Sequence, residues 1–287
     1  MTTTHTDTGS GRETRRAPSY PPAARFSPFS CLSLAAGGVL FLLLTLPLLT
    51  LTLRAISERG WETTSHGAVA QAIVLSFVTT GVTALLTLLL GTPLAYSLAT
   101  RRFPFARTAE VFIELPIVLP PAVAGLALLL MLGRRGWFGG ILDDAGVSLA
   151  FTTAAVVLAQ LFVSAPFFIR SAQNGFAAVP AEIIQAARVD GASDWQLFRS
   201  IMLPLARRGL AAGLVLSWAR AMGEFGATIL FAGSIQGRTQ TMPLFIYNVI
   251  ERDLGAAMWA GVILVAIALV ALLVSQFLRR GESLTII

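Results

Sequence analysis

Long apolar runs without charge dominate this chain, and a helix needs about 20 such residues to cross the hydrocarbon of a bilayer. Runs at 26–53, 67–100, 115–133, 145–169 and 254–278 predict five crossings. A sixth run, 209–233, is equally apolar but holds Arg220 and Glu224 in its middle. An isolated charge there costs at least about 2.5 kcal/mol, so this span is expected against protein or water. The second run exceeds one crossing, which places its span near 73–98 and leaves the remainder as an interfacial or outer segment. The pattern therefore predicts an all-α polytopic membrane protein with six transmembrane helices. Residues 1–27 are rich in Thr, Ser, Pro, Gly and Arg and are expected to be a disordered tail. The first transmembrane helix and its outer loop fall at 28–66, a membrane core at 67–280 with a long polar loop at 171–208, and a short tail at 281–287.

Composition agrees: of 287 residues 55% are hydrophobic and only 13% charged, which does not describe a water-soluble surface. All 21 basic residues are arginine, and without lysine a G-x-x-x-x-G-K-[ST] phosphate loop cannot exist. Any nucleotide that drives the protein must bind to another chain. Cys31 is the single cysteine, and His5 and His66 have no carboxylate or thiolate at metal-site spacing, so neither a cofactor nor a metal is expected. Fourteen arginines fall in the N-terminal tail, the loops after the second and fourth spans and the C-terminus, against six in the other loops. The positive-inside bias then puts both termini in the cytoplasm. The net charge of +6 is thereby explained without nucleic acid.

The polar loop reads as two short helices with a corner, a pattern that by itself equally describes an amphipathic pair lying on the lipid headgroups. Pro180 suits a helix start, Gly191 a left-handed helix end, and Ser193 with Gln196 a capping box opening the second helix, which Pro204 ends or kinks. Gln185-Ala186-Ala187, three residues, Gly191, nine residues, Ile201, one residue, Leu203-Pro204 resembles the cytoplasmic loop of ABC-importer permeases, E-A-A-x3-G-x9-I-x-L-P. The departure is Gln185, where glutamate is usual. The resemblance covers about 67–278. It includes the Leu115–Pro121 run, Pro166–Arg170, Ala219–Thr228, and Gly237-Arg238-Thr239-Gln240-Thr241 with Ile246-Tyr247, and is nearest to molybdate or tungstate permeases, with sulfate permeases close by.

That resemblance implies a type I ABC-importer permease fold with no catalysis of its own. It also implies a second permease copy in a homodimer, two cytoplasmic ATPase subunits and an extracytoplasmic substrate-binding protein. Gln185, Ala186, Ala187, Gly191, Ile201, Leu203 and Pro204 would form the ATPase-coupling element.

In the charged span, Ser217, Arg220, Glu224 and Thr228 are three, four and four residues apart and would share one helical stripe. They are candidate path-lining residues, with Arg220 attracting a dianion and Glu224 orienting it. The alternative is an Arg220–Glu224 pair that only neutralises buried charge. Thr79, Thr80 and Thr83 are further hydroxyl candidates, although threonine in a membrane helix commonly bonds its own backbone. Pro116, Pro120 and Pro121 are expected to bend the third span and free carbonyls near a gate. Gly81, Gly91 and Gly125 are read as packing positions. An ion-coupled carrier would place acids in several spans, yet mid-membrane acid is limited to Glu224, with Glu114 at an edge.

Overall fold

The computed structural model describes residues 28–101 and 104–280; the tail expectations at 1–27 and 281–287 lie outside the described residues. Thirteen α-helices are described: α1 (Pro28–Ser57), α2 (Gly60–Thr63), α3 (His66–Ala99), α4 (Ala106–Val118), α5 (Pro121–Leu132), α6 (Gly139–Asp144), α7 (Thr153–Ala177), α8 (Ala181–Val189), α9 (Asp194–Gln196), α10 (Leu203–Met222), α11 (Gly226–Phe231), α12 (Met242–Val249) and α13 (Leu254–Arg280). A π-helical turn, Leu197–Met202, joins α9 to α10. No strand occurs among the described residues. The chain divides into two units, 1–50 and 51–287. The first contributes most of α1, whose leucines, such as Leu43 and Leu49, are exposed as lipid-facing residues would be.

Five described helices are long and apolar enough to cross a membrane, and α4 with α5 make a sixth candidate as a pair bent by 114°. The bend sits at Leu119-Pro120, because a residue before proline is driven to extended backbone and Leu119 adopts ψ 137°. Pro121 then opens α5, while Pro116 lies inside α4. The second run is one unbroken helix of 34 residues, longer than the 73–98 core expected of it. The fourth span starts later and ends later than the apolar run suggested, since 145–152 turns through Gly146 before Thr152 caps α7.

The core is a three-helix contact. α3 and α7 run in the same direction, with Thr83 meeting Gln160 and Gly91 meeting Phe168. α10 runs the opposite way along α7. Glycine is required there: a Cβ on Gly209 would lie 2.8 Å from the Cα of Gly175 and 3.0 Å from the Ser171 carbonyl oxygen. Backbone on both sides leaves no flexible neighbour to yield. Gly209→Ala is therefore expected to cost about 1–3 kcal/mol through forced separation of the helices, read as a lower unfolding temperature of the detergent-solubilised protein. Gly125 likewise packs on the backbone of Ala227 in α11, whereas Gly81 faces open space in this chain.

Candidate functional site

The elbow between α7 and α10 forms from local rules. α8 ends in a Schellman motif: Gly191 has φ +82°, its N–H donates to Arg188 O (3.1 Å), and the Ala192 N–H donates to Ala187 O (2.9 Å). Ser193 Oγ accepts from Gln196 N (3.3 Å) while Gln196 Oε1 accepts from Ser193 N (2.8 Å), so the capping box is complete. Pro204 does not end the helix. The chain stays helical from Asp194 to Met222 because the π turn, in which Leu203 N donates to Phe198 O, shifts the bonding pattern just ahead of the proline. Pro204, which has no N–H to give, then falls in the first turn of α10.

One side of this elbow is rooted in the bundle. Leu197 and Met202 are buried together with Phe168, Phe176 and Leu98, and the Phe198 ring sits 4.9 Å from Tyr96 of α3. Tyr96 in turn stands edge-on to Phe176 of α7 at 5.6 Å. The other side is open. Gln185, Ala186, Gly191 and Pro204 are exposed, Ala187, Ile201 and Leu203 are half-buried, and Val189 and Trp195 show 88% and 63% of their surface. Apolar bulk is thus left uncovered on this side of the elbow.

At the charged span the single-helix expectation fails. α10 stops at Met222, Gly223 to Phe225 breaks the helix, and α11 restarts at Gly226. Ser217, Arg220, Glu224 and Thr228 therefore do not form one continuous stripe. Glu224, 1% exposed, bridges the break instead: Oε2 pairs with Arg220 Nη2 at 2.7 Å and Oε1 accepts from Ala227 N at 2.7 Å. One carboxylate thus ties the end of α10 to the start of α11. The Arg220 side chain keeps 28% of its surface exposed, and a guanidinium has five N–H donors, so part of its charge still faces outward. Ser217 and Thr228 are buried, and their hydroxyls have no hydrogen-bond partner.

The three threonines of α3 separate into two kinds. Thr79 and Thr80 donate to their own helix, to Leu75 O (2.8 Å) and Ser76 O (2.7 Å). Thr83 Oγ1 donates across to Gln160 Oε1 of α7 (3.1 Å), and Gln160 Nε2 donates to Thr79 Oγ1 (3.2 Å). Gln160 was not singled out from sequence; a lone glutamine inside an apolar run was the available signal. Gln160→Leu strands no charge and is expected to cost about 1–2 kcal/mol, measured as loss of thermal stability. Between α4 and α7 a cleft of about 460 Å³ is lined by Glu114, Arg170, Ser171 and Asn174, with Glu114 and Arg170 paired across it.

Up to six candidate crossings, a half-rooted elbow and a charged helix break describe a polytopic membrane protein. Comparison then gives the family. Residues 88–281 match the family described as binding-protein-dependent transport system inner membrane component, and the chain belongs to it. It is 36% identical over 252 residues to the "Probable transport system permease protein NifC" of Clostridium pasteurianum, covering 88% of each chain. It is 40% identical over 239 residues to the "Molybdenum transport system permease protein ModB" of Mycobacterium tuberculosis, covering 83% of this chain and 90% of that one. With "Sulfate permease 2, chloroplastic" of Chlamydomonas reinhardtii the identity is 38% over 203 residues, 70% of this chain and 54% of the relative. A chain in the crystal structure of a bacterial alginate ABC transporter shares the fold at TM-score 0.73 and 17% identity, over 90% of this chain and 96% of that one. The protein is accordingly a non-catalytic, multi-pass permease subunit of an ABC importer in the cell membrane, with ATP hydrolysed by a separate subunit.

Proposed function

We propose that this permease imports molybdate or tungstate as a homodimer, with both termini in the cytoplasm, two ATPase subunits on its two elbows and an extracytoplasmic binding protein delivering the anion. The observation that carries the oxyanion reading is the 40% identity to a molybdenum permease along 90% of that relative. The shorter match to a sulfate permease favours sulfate as the second reading.

In this mechanism, closure of the ATPase dimer pushes on Gln185, Ala186, Ala187, Gly191, Ile201, Leu203 and Pro204. The push passes through Phe198 to Tyr96 of α3 and Phe176 of α7, and directly along the continuous helix into α10. The helix break at Gly223 lies at the far end of that lever, where Arg220 lends its outward N–H donors and positive charge to the passing anion. Glu224 keeps the break in shape and offsets enough of the arginine's charge that the anion is not trapped. Ser217 and Thr228 supply hydroxyls beside the break. Gln185 still offers hydrogen bonds to the ATPase but no charge-assisted pair.

The test is ATP hydrolysis by the reconstituted complex with its binding protein. Stimulation by molybdate or tungstate and not by sulfate is expected. Stimulation by sulfate alone reassigns the substrate, and none from any of the three overturns the oxyanion reading.

A further inference from the structure

A second basic feature lies away from the helix break. Leu129, Arg134, Ser148, Ala150, Phe151, Thr152, Ile235 and Arg238 line a cleft of about 390 Å³ at the end of the bundle that the arginine bias assigns to the outside. Its lining has two guanidinium groups and no carboxylate. Two other arginines at this end have local counter-ions: Arg54 pairs with Glu58 and Arg59 with Glu62. Arg134 instead donates to the neutral Ser148 hydroxyl (3.4 Å), and Arg238 forms no ion pair among the described residues.

The loop that presents Arg238 is built rather than slack. Ile235 O accepts from the N–H groups of Arg238 (3.0 Å), Thr239 (2.8 Å) and Gln240 (3.0 Å). The fully buried Thr239 accepts from Ile235 N (2.9 Å), and Thr153 of α7 donates to Arg238 O (2.8 Å). Gly233 and Gly237 take φ +67° and +74°, a backbone that side chains rarely adopt. The loop thus holds the backbone of Arg238 in a fixed place while its charge has no ion pair among the described residues. Apolar walls beside two like charges strengthen the local positive potential, and the amino end of α7, capped by Thr152, adds to it.

We propose that this cleft is an outer capture site for a tetrahedral oxyanion, held between Arg134 and Arg238 with Ser148 as a hydroxyl donor, before the anion reaches the path at Arg220. The inference rests on the oxyanion-import reading above.

The test uses the assembled complex in proteoliposomes with Ile235→Cys as a reporter in a Cys31→Ser background. An anionic methanethiosulfonate should label Cys at 235 about tenfold faster than a cationic one, after correction for their rates with a free thiol. Molybdate, tungstate or sulfate should slow the anionic reagent while chloride does not, and Arg134→Gln with Arg238→Gln should erase both effects. No anionic preference, or no slowing by any oxyanion, overturns the site while uptake by the same vesicles leaves the import reading standing. Slowing only by unloaded binding protein also overturns it, since the cleft is then a protein contact. Absence of uptake of all three oxyanions by the unmutated complex removes both readings together.

Discussion

Gly191→Val is expected to leave the chain folded in the membrane and to lower uptake coupled to ATP by about tenfold. A Cβ at this position meets nothing within 4 Å, so the space around it is open. Its effect comes chiefly from φ +82°. Holding a non-glycine residue in left-handed backbone costs about 1–2 kcal/mol, more for a β-branched one, and 1.4 kcal/mol is a factor of ten in the population of the correct corner. The valine variant therefore re-aims α8 relative to α9 and spoils the face presented to the ATPase. Gly191→Asn, which tolerates this backbone, should recover most of the uptake. The measurement is uptake per inserted permease alongside basal ATP hydrolysis. Unchanged uptake in the valine variant removes the corner from the coupling path.

Arg220→Ala is expected to have the largest effect on stability, about 3–5 kcal/mol, because it leaves the buried Glu224 carboxylate without its counter-ion inside the membrane. Adding Glu224→Gln to that variant should restore a large part of the loss, since the amide oxygen can still accept from Ala227 N while the orphan charge is gone. Thermal unfolding of the single and double variants in detergent reads this directly. Arg220→Lys separates packing from passage: the charge survives, so the fold is retained, but the fork of N–H donors does not, so uptake falls. Full uptake with lysine would reduce Arg220 to a counter-ion.

The elbow was legible in the sequence because its signals are local: a glycine where a left-handed residue is needed, and Ser193 three residues before Gln196. Both act through backbone geometry that neighbours cannot override cheaply. The breaks were less legible. At 223–225 the charge of Glu224 stands out within an apolar run but does not announce a helix break, and what stabilises the break is its carboxylate reaching back one turn to Arg220 and forward to Ala227. Periodicity carries no trace of such a clamp. Of the two readings of Pro204, the helix end fails for a related reason, since a π turn upstream shifts the bonding pattern and places the proline in the first turn of α10. The sharp bend at Leu119-Pro120 was foreshadowed by the prolines, but not its 114°. Gln160 passed unnoticed because a single polar residue gains meaning only from its partners, here Thr79 and Thr83 on another helix.

The central claim is that the elbow faces the cytoplasm and bears on the ATPase. Trp195→Cys in a Cys31→Ser background places a lone thiol on its exposed side. In intact cells this cysteine should resist a membrane-impermeant thiol reagent, and in inverted vesicles it should crosslink to the ATPase subunit, with a yield that changes when ATP binds. Labelling from outside the cell, or no crosslink to the ATPase, contradicts the account.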